Sequence, residues 1–458
     1  MKIVFMKTAV LILLIAMFLL SCSDNDSEVD GIPEELAQDV SEHINIILII
    51  IDTLRADHLS CYGYHRLTSP TIDSLAAAGT IWVNAQAQAP WTLPAHASIW
   101  TGLTVRSHRT ETNRNWIRSD SSGKNYALDE NLLSIPVLLS EAGFSTCGIA
   151  NVCLLGDIYG FDNGFNNYSC NSAGHGMAAV SVDSLIVWLE ENSMERFFCM
   201  LHLYDVHDPY DPPSPYNALF DTENSGEATV WEVEDGLLLN PEDRDHLVGQ
   251  YDGEIAWVDD NLRTLFAWLR SRNLNENTLI IVTSDHGEEF LDHGWVDHGH
   301  TLYQELVHIP LIIAGPGISE GFVDSSFVGQ FDILPTMISW AGVDCNGQFE
   351  GVNILTDDLT GDRVIPASGV VPVPWSTGGH LASVASNSRK TIGMSDLETF
   401  ITFDLNMDPG EEHSLPADSL GVEEVLYYWA TPQRGYPVFA MPGQVEVNAL
   451  RNLGYIND

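Results

Sequence analysis

INIILIIID, residues 44–52, is a β-branched apolar run closed by an aspartate. A half-buried strand alternates apolar and polar residues. This run does not, so it reads as a strand covered on both faces, as central strands of a parallel sheet are. Working outward, strands and helices take turns. SPTIDSLAAAG at 69–79 reads as a capped helix ended by Gly79, and IPVLLSEAGFSTCGIA at 135–150 as a helix, a turn at Gly143 and a strand. RFFCMLHLY at 196–204, NTLIIVTS at 277–284 and VHIPLIIAG at 307–315 are further apolar strands. GEIAWVDDNLRTLFAWLRSR at 253–272 carries apolar residues at helical spacing, and FDILPTMISWAGV at 331–343 reads as a shorter helix. The alternation predicts an α/β fold with a mostly parallel sheet flanked by helices. Beyond about residue 370 the texture changes: HLASVASNSRKTIGM and ETFITFDL read as strands of a smaller C-terminal α+β subdomain. Residues 171–195 and 214–250 read as loops over the site. The expected division is 1–22, 23–43, 44–370 and 371–458.

Asp and Glu number 64 against 19 Lys and Arg, a net charge of −45. Such a surface repels nucleic acid, and no nucleic-acid binding is expected. An anionic ligand must find positive potential inside the site itself, and a bound cation is the economical source. At the N-terminus, Lys2 and Lys7 precede the apolar run TAVLILLIAMFLL at 8–20, too short for a comfortable membrane span. Leu19-Leu20-Ser21-Cys22 then looks like a bacterial lipoprotein cleavage box. On that reading residues 1–22 are a leader with its lipidation site, Cys22 becomes a membrane anchor, and 23–43 is a polar linker. An uncleaved anchor helix is the alternative, and both readings export the body. The other cysteines (61, 147, 153, 170, 199 and 345) show no metal-type spacing and no deducible pairing.

In an open α/β sheet, ligands bind beyond the carboxyl ends of the strands. Asp52 follows the first strand, Asp285-His286 follows NTLIIVTS, and Asp205 with His207 follows FFCMLHLY. A single strand-tip Asp ordinarily caps a helix. Several at once, one with an adjacent His, suit an oxygen and nitrogen site for a divalent cation. Thr92, in PWTLPAHASIWTG at 90–102, stands at the start of a helix, where backbone N–H groups also suit an anionic oxygen.

Four blocks then carry a resemblance. NIILIIIDTLRADHLSCYGY (45–64), TLPAHASIWTG (92–102), HLYDVHDPYDPP (202–213) and NTLIIVTSDHGEEFLDHGWVDHGHTLYQELVHIPLIIAGPG (277–317) resemble the sulfatase family of the alkaline phosphatase superfamily, in the family's order. GQFDILPTMISWAGV (329–343) and the tail LRNLGYIND (450–458) fit it too. The resemblance implies a helix-flanked sheet and one or two divalent cations (calcium, manganese, magnesium or zinc). It places Asp52, Asp285 and His286 among the metal ligands, with Thr53 where many members have a second Asp. His207 matches a histidine that contacts the ester, and His298 falls where many members have a substrate-binding Lys. The departure is Thr92, where sulfatases carry a Cys or Ser that is oxidised to formylglycine. Thr cannot form that aldehyde, and the family's following Arg is His96 here. A Thr at this place resembles the phosphoester-cleaving members of the superfamily.

Three readings follow. One is a metal-dependent phosphoester hydrolase or transferase, in which Thr92 binds the metal and acts as nucleophile and His207 or His298 protonates the leaving oxygen. Another is a sulfuric ester hydrolase that works without formylglycine. The third is a binding lipoprotein that keeps the fold. His96, Arg55, His293 and His300 are expected either to line the pocket or complete a second metal site, or to hold ordinary structural bonds.

Overall fold

The computed structural model describes residues 44–440 apart from 111–124, 172–175, 222–228, 231–239, 346, 348, 362, 371–379, 396–398, 418 and 431–437. The segments expected as leader (1–22, with Cys22) and linker (23–43), and the tail 450–458, lie outside the described residues.

The opening run is β1 (Asn45–Ile51), buried along its whole length. It is followed by α1 (Pro70–Ala77), β2 (Gly79–Gln86), α2 (Thr92–Thr101), α3 (Ile135–Glu141), β3 (Ser145–Ala150), β4 (Asn167–Cys170), α4 (Ala178–Asn192) and β5 (Phe197–Leu203). Then come α5 (Pro241–Ser271), β6 (Thr278–Ser284), β7 (His308–Ala314), β8 (Phe322–Gly329) and α6 (Ile333–Trp340). These strands form one eight-stranded sheet in the order β8-β2-β7-β6-β1-β5-β3-β4. β1 pairs in parallel with both β5 and β6, while β7 runs antiparallel to its two neighbours. The expected mostly parallel α/β sheet is therefore observed.

The missing alternation in β1 has a direct cause. Ile46, Leu48 and Ile50 enter one core, with residues of α2, α3 and α6. Ile47, Ile49 and Ile51 enter another, with residues of α1, α4 and α5. Each such buried side chain contributes roughly 1.5–3 kcal/mol of transfer free energy, so both faces are strongly specified.

Parts of both segments expected as loops, 178–192 and 241–250, are helical. Ala178–Asn192 is α4, which buries Val182, Leu185 and Leu189. α5 begins at Pro241 rather than 253. The Asn240 side chain accepts from Asp243 N at 2.8 Å, Asp243 Oδ2 accepts from Asn240 N, and Pro241 takes the first turn. This reciprocal cap starts the helix ahead of its apolar stripe.

A second, antiparallel sheet follows: β9 (Ile365–Val370), β10 (His380–Ala385), β11 (Arg389–Met394), β12 (Thr399–Asp404) and β13 (Leu415–Pro416), in that order. α7 (Ser419–Ala430) packs Val425 and Tyr428 on Ala382 and Val384. The expected boundary at 370 falls at the end of β9, and 371–379 lie outside the described residues. Lys390 and Glu411, both buried, pair at 3.0 Å. Glu411 also accepts from Gln304 N at 2.7 Å, which ties this unit to the loop before β7. Among the described residues no helix is long and apolar enough to cross a membrane.

Candidate active site

The register of β1 and β6 brings two carboxylates together. Ile51 lies opposite Ser284, so Asp52 and Asp285 are the next residues along neighbouring strands. Thr53 then turns the chain with a left-handed φ of 53°. That conformation costs a β-branched residue energy and persists where the surroundings hold it. Here Thr53 N donates to Asp285 Oδ1 at 3.2 Å and Thr53 Oγ1 donates to Val206 O at 3.0 Å. Asp285 Oδ1 also accepts from His286 N at 2.9 Å. After His286, Gly287 has no room for a side chain, because a Cβ there would stand 2.0 Å from Glu305 O.

His286 Nδ1 is bound to Gly287 O at 2.9 Å, and its Nε2 turns inward. Nε2 lies 3.4 Å from Asp285 Oδ2, 3.6 Å from Asp52 Oδ1 and 3.5 Å from Thr92 Oγ1. Donor atoms of Asp52, Asp285 and His286 all lie within 4.8 Å of one another, and all three residues are fully buried. Asp52 Oδ1 and Asp285 Oδ2 have no hydrogen-bond partner among the described residues. Two buried carboxylate oxygens without hydrogen-bond partners, converging on an imidazole nitrogen, are costly unless a cation completes them. The donor set of oxygens and one nitrogen fits a divalent ion.

The electrostatics agree. Burial raises the Asp285 carboxyl well above its ordinary value, and the Asp52 charge raises it further. Burial works the same way on Asp52, yet the His202 hydrogen bond and the nearby His207 charge hold it well below the carboxylate range. Burial, with the His298 charge, keeps His286 neutral, as a ligand nitrogen must be.

Thr92 stands in the first turn of α2, buried, and the preceding Trp91 makes no side-chain cap. Its hydroxyl is directed to His286 rather than to the helix, so the ordinary capping role does not apply. His96 lies one turn on, with Nδ1 2.9 Å from Thr92 O and 3.4 Å from Asp285 Oδ2. Burial, helped by the His202 charge, lowers it to about 3. A neutral His96 cannot supply the fixed positive charge of an arginine.

His202 belongs to the site and is absent from the sequence-derived set. It lies opposite Ile50 on β5, and its Nε2 meets Asp52 Oδ2 at 3.2 Å. The available signal was a single histidine inside the apolar strand RFFCMLHLY. His207 Nδ1 bonds Asp208 at 2.9 Å, and its ring stacks on Tyr204. Burial opposes its charge, but Asp208, with Asp52 and Glu288 behind it, lifts it to about 10. His298 Nδ1 lies 3.1 Å from Glu288 Oε1 and 2.9 Å from Asp297 Oδ1. The rings of His207 and His298 meet edge to face at 4.7 Å.

The other expected lining residues are engaged elsewhere. Arg55 spends its guanidinium on Asp57, Asp292 and the Glu288 carbonyl. His293 pairs with Glu305 at 2.7 Å, and His300 with Glu289 at 2.7 Å. Asp205 accepts from Trp257 Nε1 of α5 at 3.1 Å. Beside it, burial and the Asp205 charge raise the buried Glu254 to about 9. The native state therefore holds a proton there that the unfolded chain releases near pH 4.5, and stability falls as pH rises from there toward 9. Glu254→Gln keeps the acceptor for Asp211 N and removes the penalty. Its melting temperature should exceed the parent's by at least about 2 °C at pH 8, with the gap closing towards pH 5. A gap independent of pH would refute this assignment.

Comparison with known proteins accords with this geometry. Residues 44–343 match the family model described as Sulfatase. A delta 4,5-hexuronate-2-O-sulfatase of Bacteroides thetaiotaomicron is 23% identical over 431 residues, covering 83% of this chain and 86% of the relative. An arylsulfatase of Clostridium perfringens is 24% identical, covering 70% of this chain and 79% of its own. The solved phosphonate monoester hydrolase of Agrobacterium radiobacter superposes with a TM-score of 0.68 at 20% identity, covering 84% of this chain and 94% of the other. The family match and these relatives indicate a hydrolase of the sulfatase superfamily. The chain belongs to the sulfatase family.

Proposed function

We propose that this protein hydrolyses, or transfers, anionic phosphoesters with Thr92 as its nucleophile. The observation that carries the reading is the Thr92 hydroxyl, turned away from its helix and 3.5 Å from His286 Nε2 beside Asp52 and Asp285. A threonine has no route to the aldehyde that sulfate ester cleavage in the family relies on. The shared fold of a phosphonate monoester hydrolase fits a scaffold not confined to sulfate esters.

A divalent cation held by Asp52, Asp285, His286 and the Thr92 hydroxyl would supply positive charge to the ester oxygens and favour the ionised hydroxyl. Thr92 Oγ, its proton released to solvent, attacks phosphorus at the start of α2. The bond to the leaving oxygen breaks, and that oxygen takes a proton from His207, which Asp208 keeps protonated at neutral pH. Water, or an acceptor alcohol, gives its proton to the now neutral His207 and displaces the Thr92 oxygen from phosphorus, which restores both groups. His202 holds Asp52 in place, and neutral His96 spaces the helix from Asp285.

The leader adds a location: export, with attachment to a bacterial membrane through a lipid on Cys22. Mass spectrometry of membrane-extracted protein should show a diacylglyceryl adduct there, and an unmodified Cys22 would refute the anchor.

The test of activity is matched nitrophenyl phosphate monoester, phosphodiester and sulfate, with each divalent cation in turn. Cation-dependent release from a phosphoester is expected. Turnover of the sulfate alone would replace this reading with a sulfatase lacking formylglycine. Silence on all three, with cation bound, would favour the binding lipoprotein.

A further inference from the structure

Thr53 is the one β-branched residue among the described non-glycine residues with a left-handed φ. Glycine or asparagine would take that conformation at lower cost. A strained residue kept where a cheaper one would fit points to a use for its side chain, and the Thr53 hydroxyl has one.

The backbone ladder between β1 and β5 ends where Asp52 N donates to Leu203 O at 2.9 Å. Beyond that bond the two chains part. β1 turns at Thr53, and β5 runs on through Tyr204, Asp205 and Val206 to His207. The Thr53 side chain links them again: its Oγ1 donates to Val206 O at 3.0 Å, with both residues fully buried. The Val206 carbonyl belongs to the same planar peptide unit as His207 N, and His207 N donates to Tyr204 O at 2.9 Å. That unit is therefore held at both ends, by Thr53 on one side and by Tyr204 on the other. Its plane sets the direction in which the His207 Cα–Cβ bond leaves the chain. The rotation of the ring is fixed separately, by Asp208 and by stacking on Tyr204 at 4.4 Å.

The anchor is itself rigid. Thr53 N donates to Asp285 Oδ1 at 3.2 Å. The hydroxyl of Tyr251, on α5, donates to Thr53 O at 2.8 Å and accepts from Arg55 N at 2.9 Å. Thr53 thus refers the His207 peptide to the strand tips that carry Asp52 and Asp285.

We propose that Thr53 is a positioning residue for the leaving-group acid: its hydroxyl aims His207 at the oxygen that takes the proton as the phosphorus–oxygen bond breaks. This rests on the acid role given to His207 above. A misaimed acid matters in proportion to how much the leaving oxygen needs its proton. Nitrophenolate departs readily without one, and phenolate does not.

The test compares nitrophenyl and phenyl esters of the class that the full chain turns over in mild detergent. Thr53→Val keeps the branched shape and removes the hydroxyl. Its kcat should fall about tenfold or more on the phenyl ester and no more than about threefold on the nitrophenyl ester, with KM unchanged. Thr53→Ser restores the hydroxyl and should track the parent on both. In a His207→Ala background the loss from Thr53→Val should vanish, because the residue acts only through that acid. If Thr53→Val fails to fold by circular dichroism, Thr53→Gly, which takes a left-handed φ freely, replaces it. Equal losses on the two esters, no loss on either, or a loss that persists in the His207→Ala background overturns the proposal. A selective loss in His207→Ala, with Thr53→Val like the parent, removes Thr53 and leaves the acid standing. A His207→Ala protein without leaving-group selectivity, or a parent inactive on every ester, sinks both. If sulfates alone turn over, the phosphoester reading falls, and the same comparison on nitrophenyl and phenyl sulfate decides Thr53.

Discussion

Thr92→Ala is expected to lower phosphoester turnover by about 10³-fold or more, the scale on which a missing nucleophile acts, while the protein stays folded. The two halves of this expectation come from one geometry. The Thr92 hydroxyl bonds to His286 at 3.5 Å and does not cap α2, so removing it costs the helix little. The same hydroxyl lies 3.5 Å from His286 Nε2, beside Asp52 and Asp285. Thr92→Ser keeps that oxygen and loses only the methyl group that restricts its rotamer. It should retain activity within about a hundredfold of the parent. Steady-state rates on the preferred nitrophenyl ester, with melting curves for both variants, decide the matter. An alanine variant that turns over like the parent would show that the oxygen attacking phosphorus comes from water, not from Thr92.

Asp285→Asn should have opposite effects with and without cation. In the cation-free protein the native state carries two fully buried carboxylates on adjacent strand tips, and burial with the Asp52 charge raises Asp285. A raised carboxyl means that the native state binds more protons than the unfolded chain, so stability falls as pH climbs above about 3.9. Asparagine keeps the Oδ1 acceptor for Thr53 N and His286 N and removes the charge. With chelator at pH 8, the variant should therefore melt above the parent. Cation reverses the order. An ion that binds only the folded parent at a hundred times its dissociation constant adds about 2.7 kcal/mol, and the variant should lose at least half of that gain. Activity should fall with it by about 10³-fold. Paired melting curves with chelator and with manganese test both signs. Equal cation-induced shifts in the two proteins would remove Asp285 from the ligand set.

The fold was legible because its central feature is local. A mostly apolar strand without alternation points to burial on both sides, and β1, β5, β6 and β7 all read this way. What no apolar pattern reveals is set by other means. α5 starts at a side-chain cap, Asn240 with Asp243, twelve residues before its apolar stripe is strong. α4 lies where the composition suggested a loop. In the site, residues at strand ends were found because a polar group there is conspicuous. His202 was hidden inside an apolar strand, and only the register Ile50 to His202 shows that it faces Asp52. For the histidines at 293 and 300 the sequence leaves two roles open, in the pocket or in ordinary structural bonds. Their spacing looked purposeful, yet each is answered by a glutamate, Glu305 or Glu289, whose position no local pattern reveals.

The isoleucines of β1 are blind to parity. Even and odd positions are equally apolar, and each side is met by its own layer of helices. Hydrophobic burial alone would accept this strand turned over by one residue, with nearly the same area removed from water. Asp52 would not. It continues the even-numbered side, the side of α2, and a slip of one place would aim it at the opposite helices. What chooses between the two is polar: Asn45 bonded to Thr278 and Phe197 at one end, His202 meeting Asp52 at the other. The groups that assemble the chemistry thus also tell the strand which way up it lies.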